Sequence, residues 1–139
     1  MAETIRDVMT TNPVTVEASA SVTDASKLMQ QHDIGNVIVV ENGQVQGIVT
    51  DRDVVVRGIA AGRDPSGTSV REVCSSDPTT LAPDQSVDEA IRLMRELDVR
   101  RLPVVENGRA AGIVSLGDLA VDRDPDSVLA DISAADPNR

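Results

Sequence analysis

The chain is written twice. Residues 4 to 56 align with residues 69 to 121 at a constant offset of 65 and without a gap. Identities run along the whole length, from Arg6/Arg71, Pro13/Pro78 and Ser21/Ser86, through Leu28/Leu93, Met29/Met94 and Asp33/Asp98, to Gly47/Gly112, Val49/Val114 and Asp53/Asp118. Chance does not hold such a register, so the fold must be one that two copies of a single unit can build. A unit of about 50 residues makes only a marginal core alone. The two copies are therefore expected to pack on each other, sheet to sheet, about a pseudo-two-fold axis.

Each copy carries the same local signals. Thr4 and Ser69 are placed to cap a short helical turn, which leads past Pro13 or Pro78 into an extended piece at Val14-Thr15-Val16 or Thr79-Thr80-Leu81. An amphipathic helix follows. Ser21 with Asp24, and Ser86 with Glu89, have capping-box spacing. Val22, Ala25, Leu28 and Met29, or Val87, Ala90, Leu93, Met94 and Leu97, form one apolar stripe that is expected to be core. Asn42-Gly43 and Asn107-Gly108 then stand between apolar runs, Val37 to Glu41 with Val45 to Val49 and Val104 to Glu106 with Ala110 to Val114. That dipeptide is a strong hairpin signal, because both turn residues must accept positive φ. A second helix starts at Thr50 or Ser115.

The expected fold is thus α/β, of the α+β kind: two motifs, each strand, helix, strand, strand, helix. The first motif is assigned to residues 1–62, a linker to 63–68 and the second motif to 69–121. An acidic tail covers 122–139, where Val128, Leu129 and Ile132 predict one short helix.

Composition narrows the function. A formal charge of −10 repels a phosphate backbone, and the absence of Phe, Tyr and Trp removes any platform for stacked bases, so no nucleic-acid partner is expected. Val37-Ile38-Val39-Val40 is far too short to cross a bilayer, and Glu3 and Asp7 stand where a leader would be basic. A cytoplasmic protein with no membrane partner is expected. Cys74 and His32 are the only residues of their kinds, which leaves no disulfide and no soft-ligand cluster, so no metal is expected.

The paired segments Gly47-Ile48-Val49-Thr50 with Asp53, and Gly112-Ile113-Val114-Ser115 with Asp118, each follow an Asn-Gly hairpin and a strand introduced by Asp33-Ile34 or Asp98-Val99. Together they resemble tandem CBS motifs, the Bateman module, over residues 4 to 121, and in particular the short stand-alone two-motif proteins of bacteria. The resemblance implies a regulatory module, without enzymatic activity, that holds AMP, ADP, ATP, NAD or S-adenosylmethionine in clefts between its motifs and so senses energy or metabolic state. No cofactor is required; the adenine nucleotide is the regulatory ligand. With nothing appended, any effect is expected to fall on a separate regulated protein or to be exerted by the ligand-holding dimer itself.

In that family the Thr/Ser and Asp of the signature hold the ribose, which carries over to Thr50 with Asp53 and Ser115 with Asp118. A carboxylate accepts from both ribose hydroxyls, beside a helix start that favours phosphate. The same spacing is also a plain capping box, and both readings stand. Arg100 and Arg101 open the second copy's central strand, where the family often places a cation on the ligand phosphates; the first copy has Gly35 and Asn36 there, so the two clefts differ. A solvated charge pair is the alternative. Arg52 is a weaker phosphate candidate. Aliphatic side chains must hold the adenine: Val14, Val37, Ile38 and Val39 in the first copy, Thr79, Leu102, Pro103 and Val104 in the second. These are equally core strand residues.

No catalytic partner accompanies His32, which aligns with Leu97, or Cys74, which aligns with Met9. Asp51-Arg52-Asp53 invites a magnesium reading, but there is no glycine-rich phosphate loop with lysine, and Leu116 replaces Asp51 in the second copy. Other readings are a pure interaction protein that keeps the fold without a nucleotide, and a homodimer. The homodimer's expected surface is Val54, Val55, Val56 and Ile59, with Val22, Met29 and Met94.

Overall fold

The computed structural model describes residues 4–76 and 79–123. In chain order its elements are α1 (Ile5–Val8), β1 (Thr10–Thr11), β2 (Thr15–Glu17), α2 (Val22–His32), β3 (Asn36–Glu41), β4 (Gln44–Thr50) and α3 (Asp51–Asp53), which runs into a π-wound segment, Val54–Ile59. A 3-10 turn at Val70–Glu72 leads to β5 (Ser75–Ser76), and then come α4 (Val87–Leu97), β6 (Arg101–Glu106), β7 (Arg109–Ser115) and α5 (Leu116–Arg123). This is the mixed α/β order expected from the repeat.

The described residues divide into two compact units, and the division does not follow the repeat. One unit is contiguous, residues 14–76. The other is composite, joining residues 4–13 to 79–123. The contiguous unit has a four-stranded sheet in the order β2-β3-β4-β5, with β2 parallel to β3 and the other pairs antiparallel. The composite unit has a three-stranded sheet, β1-β7-β6, antiparallel throughout.

The local signals act as expected. Ser21 Oγ accepts from Asp24 N–H at 3.0 Å, and Ser86 Oγ accepts from Glu89 N–H at 3.1 Å, so each long helix starts on a satisfied cap. Each ends at an aspartate in the left-handed region, Asp33 and Asp98, both with φ 54°. The hairpin turns take positive φ at Asn42 and Gly43 and at Asn107 and Gly108, the mirror-image turn whose twist matches the strands. The helical stripes pack as core: Val22, Ala25 and Met29 join Val37, Val39 and Val49, while Val87, Ala90 and Met94 join Leu102, Val104 and Val114. Leu97 departs from its stripe and is 44% exposed at the end of α4.

Three further expectations change. In the second copy the extended piece reduces to one bridge, Leu81 to Val104. The cause is Pro103. In the first copy Ile38 N–H donates to the Val14 carbonyl at 3.0 Å, whereas proline at the matching position has no N–H for Thr79. The apolar surface assigned to a dimer is also corrected, because Val22, Met29, Met94 and Val54 are buried within their own units. Ala60 N–H donates to the Val55 carbonyl at 2.8 Å, an i→i+5 bond, and this wider winding turns Val54 inward while Val55, Val56 and Ile59 face out. Finally, α5 continues to Arg123, past the assigned start of the tail. The short helix expected around Val128, Leu129 and Ile132 lies outside the described residues.

What makes the units cut across the repeat is the exchange of leading segments. Thr10 and Thr11 pair with Ile113 and Gly112; the matching Ser75 and Ser76 pair with Ile48 and Gly47. Ile5 is fully buried in the composite core, and Val70, its counterpart, in the contiguous one. Even the ion pairs match, Arg6 with Glu106 and Arg71 with Glu41. The backbones approach so closely that a Cβ at Gly112 would stand 2.7 Å from the Thr10 carbonyl oxygen, and one at Gly47 would overlap the Ser75 carbonyl. Only glycine fits there.

Substitution should separate this role from ordinary glycine effects. Gly112→Ala is expected to lower unfolding free energy by roughly 1–3 kcal/mol through forced overpacking. Gly58→Ala, where nothing lies within 4 Å of an added Cβ, should raise it by roughly 0.5–1 kcal/mol. Urea unfolding followed by far-UV circular dichroism measures both, since the chain has no aromatic fluorophore. Equal effects of the two would refute the close-approach argument.

Candidate functional site

Each unit ends a hairpin strand directly in a helix, and that junction holds the signature residues. In the composite unit Ser115 closes β7 and Asp118 lies in the first turn of α5. Ser115 N–H donates to Asp118 Oδ2 at 3.0 Å, and Asp118 N–H donates to Ser115 Oγ at 3.1 Å. The contiguous unit repeats this with Thr50 N–H to Asp53 Oδ2 at 2.9 Å and Asp53 N–H to Thr50 Oγ1 at 3.1 Å. Both are complete capping boxes. Capping engages only Oδ2 of each carboxylate. Oδ1 of Asp53 lies 3.8 Å from Arg57 Nε, while Oδ1 of Asp118 has no partner among the described residues.

Antiparallel register brings the basic candidates to the same junction. Arg101 is the direct cross-strand partner of Ser115, and the Arg100 carbonyl accepts from Leu116 N–H at 2.8 Å. Neither guanidinium has a hydrogen-bond or ion-pair partner among the described residues. Arg101 is half-buried and Arg100 exposed. In the contiguous unit Asn36 faces Thr50, and the Gly35 carbonyl accepts from Asp51 N–H at 3.0 Å. Arg52 is exposed beside it.

The adenine candidates are spread more widely. Val37 and Val39 are core residues of the contiguous unit, and Leu102 and Val104 of the composite one, so their side chains face their own helices. Ile38 alternates to the other face of β3 and is buried; Pro103 holds the matching place on β6 and is buried too. Val14 is half-buried and Thr79 exposed. With Ile38 N–H committed to Val14, the Thr79 carbonyl lacks the bond its counterpart accepts.

Three neighbours of the signature residues were not assigned to the site from the sequence, although Cys74 was expected as a core residue. Arg57 approaches Asp53 across one helical turn, a contact that i,i+4 spacing does signal. Asp51 turns back over Gly35, and no local pattern announces that. Cys74 packs half-buried against the contiguous core; burial pushes its thiol pKa up, and the Asp53 carboxylate adds to the rise. Among the described residues no group of three or more His, Cys, Asp or Glu is placed to hold a metal ion, and none of the helices is long and apolar enough to cross a membrane.

Comparison with known proteins identifies the fold and the family. The CBS domain profile matches residues 5–58 and again residues 70–121. The CBS domain-containing protein YhcV of Bacillus subtilis is 42% identical over 119 residues, covering 86% of this chain and 84% of that protein. Hypoxic response protein 1 of Mycobacterium tuberculosis is 35% identical over 118 residues, 84% of this chain and 82% of its own length. The crystal structure of Hypoxic Response Protein I with two coordinated zinc ions superposes with a TM-score of 0.78 at 34% identity, over 84% of this chain and 96% of that one. A hexameric CBS-CP12 protein from bloom-forming cyanobacteria gives 0.78 at 31% identity, over 97% and 84%. Matched twice by the family profile, and alike in fold and sequence to relatives over most of both chains, this chain belongs to the CBS domain family as a tandem pair of the kind that forms regulatory modules.

Proposed function

We propose that the chain is a cytoplasmic regulatory module that binds an adenosine-containing nucleotide at the helix starts of its motifs and has no catalytic chemistry of its own. The observation that carries this reading is the composite unit's junction. There the strand register and the Leu116 N–H to Arg100 carbonyl bond bring the backbones of Arg100 and Arg101 to the start of an eight-residue helix, and among the described residues neither guanidinium nor Asp118 Oδ1 has a partner. A ribose offers two hydroxyl donors to Asp118 Oδ1, with Ser115 beside it; a phosphate takes bonds from Arg101 and Arg100. The Thr79 carbonyl suits an adenine amino donor, and buried Pro103 supplies an apolar wall. Thr50 and Asp53 offer the same sugar-binding pair in the contiguous unit. AMP, ADP, ATP, NAD and S-adenosylmethionine all present the adenosine group that this chemistry reads, and the response passes to a separate regulated protein.

Sugar and phosphate contributions separate by substitution. Asp118→Ala should weaken adenosine and AMP alike, since both carry the hydroxyls. Arg101→Ala should cost AMP about 1.5–3 kcal/mol and leave adenosine nearly unchanged. If Asp118 only caps α5, Asp118→Ala lowers stability by roughly 0.5–2 kcal/mol and intrinsic affinity does not move. Calorimetric titration with both ligands, and stability measured in parallel, decide between these outcomes. Binding by neither ligand leaves the interaction-only reading.

The same module is proposed to act as a homodimer. Val55, Val56 and Ile59 are 54%, 47% and 58% exposed along one π-wound segment, an apolar surface that a second copy would cover. Sedimentation should show a dimer at micromolar concentration, and Val56→Asp with Ile59→Asp should yield monomer of unchanged helicity. A wild-type monomer refutes it.

A further inference from the structure

The two junctions have the same backbone and opposite chemistry at their mouths. Capping distances match within 0.1 Å, 2.9 and 3.1 Å in one against 3.0 and 3.1 Å in the other, and the bond from helix to preceding strand is made in both, Asp51 N–H to Gly35 and Leu116 N–H to Arg100. The side chains at those positions have been traded as a set. Where the second motif has Arg100, Arg101 and Leu116, the first has Gly35, Asn36 and Asp51.

Gly35 and Asp51 form one fitted pair. Asp51 Oδ2 lies 2.9 Å from where a Cβ on Gly35 would be, so the carboxylate occupies the space a side chain would fill. Its Oδ1 accepts from Arg52 N–H at 2.8 Å. A carboxylate belonging to the protein therefore already accepts from Arg52 N–H in the first turn of this helical run, a bond that a ligand phosphate could otherwise accept. Arg57, the cation one turn on, is drawn to Asp53, and Arg52 is exposed with Asp51 offsetting its charge. In the second motif apolar Leu116 offers no carboxylate to the matching N–H, that of Gly117, and the Arg100 and Arg101 positions lie across the hairpin from the helix start.

From this exchange we infer that the motifs take different classes of adenosine ligand: the second one bearing a 5′-phosphate, the first one whose 5′-substituent is neutral or cationic. The inference rests on the nucleotide-binding reading above and adds to it a rule of selection by charge. A fixed carboxylate beside a phosphate disfavours binding by roughly tenfold or more, and favours a cationic group in the same place.

Calorimetry with AMP, adenosine and S-adenosylmethionine on the whole chain tests it. Wild type should bind one AMP per chain, and S-adenosylmethionine should bind at the other junction. Asp51→Asn keeps the size and removes the charge. It should raise AMP affinity at the first junction roughly tenfold or more and weaken S-adenosylmethionine. The triple variant Gly35→Arg, Asn36→Arg, Asp51→Leu copies the second motif and should bind two AMP per chain; its circular dichroism melt checks folding, and Asp51→Asn carries the test if it does not fold. Two equivalent AMP sites in wild type, or an Asp51→Asn variant with unchanged AMP and S-adenosylmethionine affinities, would overturn selection by charge alone. Binding of none of the three ligands overturns the nucleotide reading and this inference with it.

Discussion

Two missing side chains hold this architecture together. At Gly47 and Gly112 the backbone of a leading segment lies against the hairpin strand at a distance that admits no Cβ. That approach lets Ser75-Ser76 and Thr10-Thr11 add a strand to a sheet, and it seats Val70 and Ile5 in the cores beneath. Burial of such a side chain is worth roughly 1.5–3 kcal/mol, a sizeable share of the stability of a unit this small. The glycines belong to the same segments, Gly47-Ile48-Val49-Thr50 and Gly112-Ile113-Val114-Ser115, that run on into the signature helices. Fold closure and ligand chemistry thus lie on one strand, a few residues apart.

The helix starts show how structure and function share a residue. A capping carboxylate is held in place by the backbone N–H it accepts from, which is also what a sugar-binding carboxylate needs if it is not to lose conformational entropy on binding. Capping and ligand binding therefore do not compete. Oδ2 fixes the side chain and Oδ1 remains for other chemistry, approached by Arg57 at Asp53 and without a partner among the described residues at Asp118.

Much of the fold was legible in the sequence because its signals are local. Capping spacings, Asn-Gly turns and helical stripes act within a few residues, and the structure forms each where it is expected. The exchange of leading segments was not legible, because Thr4-Ile5-Arg6-Asp7-Val8 and Ser69-Val70-Arg71-Glu72-Val73 are so alike that either suits either sheet. The outward face of Val54–Ile59 was misread for a different reason: a 3.6-residue period does not describe a chain wound with i→i+5 bonds. Of the candidate site, the identity of Thr50, Asp53, Ser115 and Asp118 as helix-start residues and the placing of Arg101 at a strand end were readable. Asp51 over Gly35 was not, since a contact across a hairpin leaves no periodic mark.

The composite unit also has a history written into its order along the chain. The contiguous unit, residues 14–76, contains every member of its own core and can condense as soon as that stretch has been synthesised. Ile5 is made earlier than any of it, yet its core neighbours Val104, Val114 and Leu119 are made last. The contiguous unit is therefore able to fold during translation before the core partners of Ile5 have been made. The second unit closes only when the two distant parts of the chain meet, so its formation carries the long loop-closure step that the first unit avoids.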